Sequence, residues 1–98
     1  MLRHVVLFRR KPDVERDKVL ERSLFARMRG LGSQIAAIQS WRVAANELQR
    51  PPITWDLILE SEVTDVEALD AYLFHPLHQA LVQDLRTYYE WAAVDYTV

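Results

Sequence analysis

Two of the three histidines in this sequence, His75 and His78, stand three residues apart with Pro76 between them. Tyr72 precedes them by three and six positions, and the third histidine, His4, lies near the start of the chain. These residue types suit proton transfer. A neutral imidazole can take a proton from a carbon next to a carbonyl, and a phenol can donate to the enolate oxygen that develops. There is no cysteine, so no thiolate is available as nucleophile or metal ligand. No paired carboxylates, glycine-rich phosphate loop or nucleophile elbow occur. A histidine pair separated by three and split by a proline is not the His-x-x-x-His helix pair that grips zinc. The expectation is therefore no metal and no cofactor.

The elements that carry these residues follow from the pattern. Leu2 to Arg9 reads as a first strand, with Leu2, His4, Val6 and Phe8 on one face and Val5 and Leu7 on the other. Apolar residues on both faces mark a strand covered on both sides. Asp13 is a fitting N-cap for a helix from Val14 to about Leu31, with Leu20, Leu24, Met28 and Leu31 on one stripe and Gly30 and Gly32 ending it. Ile38 to Asn46 reads as the second strand, its Trp41–Val43 face the more apolar. Ile53 to Glu62, after Pro51-Pro52, reads as the third.

Thr64-Asp65-Val66-Glu67 matches a capping box and opens a second helix with Val66, Leu69 and Leu73 on its buried stripe. Pro76 breaks that helix near His75 and starts a new segment carrying Leu77, Leu81, Val82 and Leu85, which ends near Tyr88-Tyr89. Trp91 to Val98 is the fourth strand. The order βαββαβ is the ferredoxin-like α+β arrangement, with both helices on one face of a four-stranded antiparallel sheet. Val5, Leu7 and the Trp41–Val43 row are then expected on the other face. Covering them calls for a second, two-fold-related copy of the chain, giving a dimeric α+β barrel.

On this frame His78 shares the inward stripe of Leu81, Val82 and Leu85 and sits in the first turn after Pro76. Burial and the helix dipole both disfavour its charged form, so it is the expected base. His4 shares the face of Val6 and Phe8 and is expected to approach it. Tyr72 is the expected donor. Phe8, Leu24, Met28 and Leu81 are the expected apolar lining for substrate. His75 and Pro76 are expected to be structural, with His75 capping the new segment, and Asp56 and Asp95 to tie down loops or tyrosines. Each histidine also fits a packing role, and Tyr72 fits a core aromatic.

With 98 residues the chain is expected to be one domain, 1–98. The net charge of −2 argues against nucleic acid or an anionic membrane as partner, and no apolar run reaches the length of a membrane span. The opening residues run straight into a strand, so no leader is expected. The lack of cysteine fits a reducing cytoplasm, the expected location.

Four segments resemble the stress-responsive A/B barrel domain family. They are Arg3-His4-Val5-Val6-Leu7-Phe8, Trp55-Asp56-Leu57-Ile58-Leu59, Ala71-Tyr72-Leu73-Phe74-His75-Pro76-Leu77-His78 and Val94-Asp95-Tyr96. The resemblance covers essentially the whole chain in order, and it implies a ferredoxin-like protomer and a barrel-shaped homodimer. It fixes no activity, because most members have none assigned. One plant member is a polyketide cyclase that closes a linear polyketide by intramolecular aldol condensation. Its acid–base residues are similar to Tyr72, His78 and His4 here. Its further pocket tyrosine, on the first helix, corresponds to Ala26, a departure that bears on pocket shape and on any polyketide substrate.

The resulting expectation is a homodimer with a small apolar, carbonyl-binding pocket between helices and sheet. Cofactor-independent cyclase, aldol or lyase chemistry would run on His78 with His4 and Tyr72. The alternatives are a non-catalytic stress-response or ligand-binding dimer, or a related barrel-type monooxygenase.

Overall fold

The computed structural model describes residues Met1–Val98. Strands β1 (Leu2–Arg10), β2 (Ser40–Ala45), β3 (Leu57–Val63) and β4 (Tyr89–Thr97) alternate with helices α1 (Lys18–Leu31), α2 (Val66–Leu73) and α3 (Pro76–Leu85). The strands form one sheet in the order β2-β3-β1-β4, antiparallel throughout. This is the expected ferredoxin-like arrangement, with its second helix in two pieces. His75 and Pro76 explain the break. Pro76 has no N–H to donate, and His75 adopts extended backbone as N-cap of α3, its Nδ1 accepting from the Leu77 amide at 3.1 Å.

The cross-strand register aligns Trp41, Ser61, His4 and Asp95 in one row, Val43, Leu59, Val6 and Ala93 in the next, and Ala45, Leu57, Phe8 and Trp91 in a third. These rows face the helices. Val6, Phe8, Val43, Leu57 and Leu59 join Leu24, Met28, Leu31, Leu69, Tyr72, Leu81 and Leu85 in a single core. The alternate positions form the open face. There Ala44, Ile58, Leu7 and Ala92 make one apolar row and Val5 and Val94 extend it. Leu7 and Val94 are exposed, as the first strand's two apolar faces require when only one is covered.

Several boundaries differ from the sequence expectation, and one face is reversed. The Trp41–Val43 row lies under the helices, not on the open face: the Trp41 indole N–H donates to the Met28 carbonyl at 2.9 Å, and Val43 pairs with the buried Leu59. Helix α1 begins at Lys18, capped by Asp17, whose carboxylate accepts from the Leu20 amide at 3.0 Å. The stretch after Asp13 is held outside the helix by tertiary contacts. Arg10 donates to the Val14 carbonyl, and the Asp17 amide donates to the Tyr88 hydroxyl at 3.0 Å.

Gly30 lies within α1, which runs on to Leu31. Gly32 is the C-cap of α1, as expected, and it also meets a packing need: a Cβ there would stand 2.2 Å from the Trp41 ring. The third strand begins at Leu57 because residues before it close a loop. The Arg50 amide donates to the Thr54 hydroxyl at 2.8 Å, and the Arg10 amide to the Asp56 carboxylate at 2.9 Å. Asp65, not Thr64, caps α2, accepting from the Ala68 amide at 2.8 Å. Val66 is therefore turned to solvent while Leu69 and Tyr72 are buried. The fourth strand starts at Tyr89, buried against Phe8 and Tyr88. No helix is long and apolar enough to cross a membrane.

Candidate functional site

A cavity of about 360 Å³ opens between α2–α3 and the β1–β4 side of the sheet. Its volume is at the lower end of the range for small-molecule sites. His4, Tyr72 and His78 all line it, together with Val6, Phe8, Met28, Leu31, Trp41, Leu81, Leu85 and Trp91. Of the residues expected to line a substrate pocket, Phe8, Met28 and Leu81 do so. Leu24 is sealed in the core away from it. Ala26 is exposed on α1 and borders a separate hollow with Leu77 and Ala80, so a side chain there cannot shape this cavity.

The centre is Tyr72, 1% exposed. The His4 ring meets it edge-on at 5.8 Å, Trp41 at 5.7 Å and His78 at 4.9 Å. Tyr72 is held because it lies on the buried stripe of α2 with Leu69, one turn before the proline break. His78 is held because α3 restarts at Pro76 and turns its first inward position onto the same ring. His4 arrives from β1, directly across from Asp95 in the register.

Hydrogen bonds assign the two imidazoles. The His78 Nδ1 donates to the Leu73 carbonyl at 2.8 Å. A carbonyl only accepts, so Nδ1 carries the proton and a neutral ring keeps its lone pair on Nε2. The His4 Nδ1 donates to the Asp95 carboxylate at 2.5 Å, which orients that ring and leaves the lone pair of the neutral ring on Nε2. Neither Nε2 is bonded within the chain, and neither is a fully buried nitrogen without a partner.

Burial above all holds the His78 pKa below the ordinary histidine value. His4 and His75 push the same way, and the Leu73 hydrogen bond opposes them. Burial also raises the Tyr72 phenol well above its usual value. The Ser61 side chain offsets part of this, and Asp95 adds to it. At neutral pH the site therefore presents a neutral base, His78, and a neutral donor, Tyr72. His75 is spent on the α3 cap and does not line the cavity.

Set beside known proteins, the chain matches the sequence model of the family described as Stress responsive A/B Barrel Domain over residues 2–98. The chain belongs to that family. An uncharacterized protein of Streptomyces coelicolor is 40% identical over 96 residues, covering 98% of both chains. A dimeric protein of unknown function with a ferredoxin-like fold, from Bacteroides fragilis, is 30% identical. It superposes with a TM-score of 0.83 over 99% of this chain and 95% of its own. The hydroxynitrile lyase of Passiflora edulis superposes equally well, TM-score 0.83 over 99% of this chain and 92% of its own, at 13% identity. That likeness shows a shared fold.

In this A/B barrel chain the sequence reading missed two contributors to the site. Asp95 orients His4, and only the β1–β4 register reveals it. Trp41 forms a wall of the cavity, and the reversed face of β2 concealed it. Asp56, in contrast, does tie down a loop, through the Arg10 amide and the Gln49 side chain.

Proposed function

We propose that this A/B barrel protein binds a small, largely apolar carbonyl compound in the cavity and moves a proton at the carbon beside the carbonyl. His78 Nε2 takes the proton. The Tyr72 hydroxyl donates to the enolate oxygen, His78 Nε2 hands the proton back, and His4, oriented by Asp95 with a bare Nε2, accepts from a hydroxyl of the substrate. This is the equipment of cyclase, aldol or lyase chemistry, and it needs no cofactor. The observation that carries the reading is the meeting of two unbonded Nε2 atoms and a phenol on one apolar cavity.

The protein acts as a homodimer in this reading. The open sheet face carries Leu7, Ile58, Val5 and Val94 uncovered, and a second copy related by a two-fold axis buries them against themselves. Dimeric relatives of the same fold, at 30% identity in the Bacteroides fragilis case, support it.

The test uses 2-nonanone in D2O, following deuterium entry beside the carbonyl by NMR. The wild-type protein accelerates exchange and His78→Gln does not. Binding without accelerated exchange would leave a ligand-binding dimer in place of an enzyme.

A further inference from the structure

The cavity is long, and its two ends are chemically different. His4, Tyr72 and His78 gather at one end. At the other stand Phe8, Leu85, Trp91 and Arg86. Two independent measures give the span. His78 and Arg86 are eight residues apart on α3 and its helical C-cap, which is about 12 Å at the rise of an α-helix. His4 and Phe8 are four residues apart on β1, which is about 13 Å at the rise of a strand.

Arg86 is the one side chain of fixed charge among the lining residues. Its guanidinium lies 5.9 Å from the Trp91 ring and enters no ion pair within the chain. The carboxylates nearest to it in sequence are engaged elsewhere. Asp84 holds Arg27 at 2.6 Å, and Glu90 holds Arg9 at 3.2 Å on the opposite face of the sheet. No carboxylate lines the cavity. An unpaired guanidinium at the end of an apolar slot is matched by one anionic group, and its planar fork suits a carboxylate.

We infer that the ligand is an elongated apolar monocarboxylate whose carboxylate rests on Arg86 and whose carbonyl reaches His78 and Tyr72 at the far end. This rests on the proton-transfer reading above and adds the anionic group and its distance from the reacting carbon. A single positive charge fits a monoanion; a pyrophosphate or a nucleotide would call for more cations than the slot holds.

The test is calorimetric titration of the intact protein with 9-oxodecanoate and with its neutral methyl ester, alongside the ring signals of His4 and His78. The acid is expected to bind about tenfold tighter than the ester, the effect of one exposed charge-assisted contact. Arg86→Gln, at an exposed position, is expected to abolish that preference, bringing the affinity of the acid down to that of the ester. Equal affinities in the wild-type protein, or a preference that survives Arg86→Gln, would overturn the inference while the cavity reading stands. Ring signals of His4 and His78 that move with neither ligand would overturn the cavity reading and the inference with it.

Discussion

Replacing Tyr72 by Phe separates a catalytic phenol from a structural one. The ring is the most deeply buried aromatic of the site, and its edge-on contacts with His4, Trp41 and His78 all survive in phenylalanine. Only the hydroxyl is lost. A buried hydroxyl in a structural hydrogen bond is worth about 1 kcal/mol, which in a domain of this size moves the melting temperature by about 4–8 °C. The one side-chain hydrogen-bond neighbour of the Tyr72 hydroxyl, Ser61, keeps a partner in the His4 carbonyl at 3.3 Å, and burial already disfavours the charged phenol. The melting temperature of Tyr72→Phe is therefore expected within about 2 °C of wild type. Loss of an oxyanion donor costs about a hundredfold in rate, so deuterium entry into 2-nonanone should fall by that order. A fall in melting temperature of about 5 °C or more with an unchanged exchange rate would refute the assignment.

Three further outcomes follow from the same geometry. The His78 pKa is lowered on folding, so the unfolded chain binds the proton more readily: stability should decline as pH falls through the ordinary histidine value of about 6.5, and His78→Gln should flatten that slope in urea melts. Leu7→Ala should weaken the dimer without unfolding the chain, because Leu7 faces away from the core. Each copy loses about 2 kcal/mol, and two-fold symmetry counts it twice, so the dissociation constant should rise roughly a thousandfold in sedimentation experiments. A wild-type monomer at micromolar concentration would contradict the dimer. Gly32→Ala places a methyl group against the Trp41 ring, so it should destabilise by about 1–3 kcal/mol in urea melts and distort the cavity wall.

The fold was legible because each element carried its own pattern. The two-faced first strand, the spaced leucines of α1 and the proline in the second helix are local signals, and local signals survive without coordinates. His75 as a cap followed from the same proline. What was not legible depends on pairing between distant segments. Asp95 acquires its role only because β4 registers against β1 with His4 opposite it. The side that Trp41 faces depends on which neighbour β2 meets and on the space left by Gly32. The late start of α1 depends on Tyr88, distant in sequence, bonding the Asp17 amide.

The central claim is that two imidazoles with bare Nε2 atoms and one phenol surround a ligand cavity. The most direct measurement is the nitrogen NMR spectrum of ¹⁵N-histidine-labelled protein at pH 7, with and without 2-nonanone. The account predicts a neutral His78 protonated on Nδ1, and Nε2 signals of His78 and His4 that both shift as ketone is added. A His78 ring protonated on Nε2, or ring signals unmoved by saturating ketone, would contradict it.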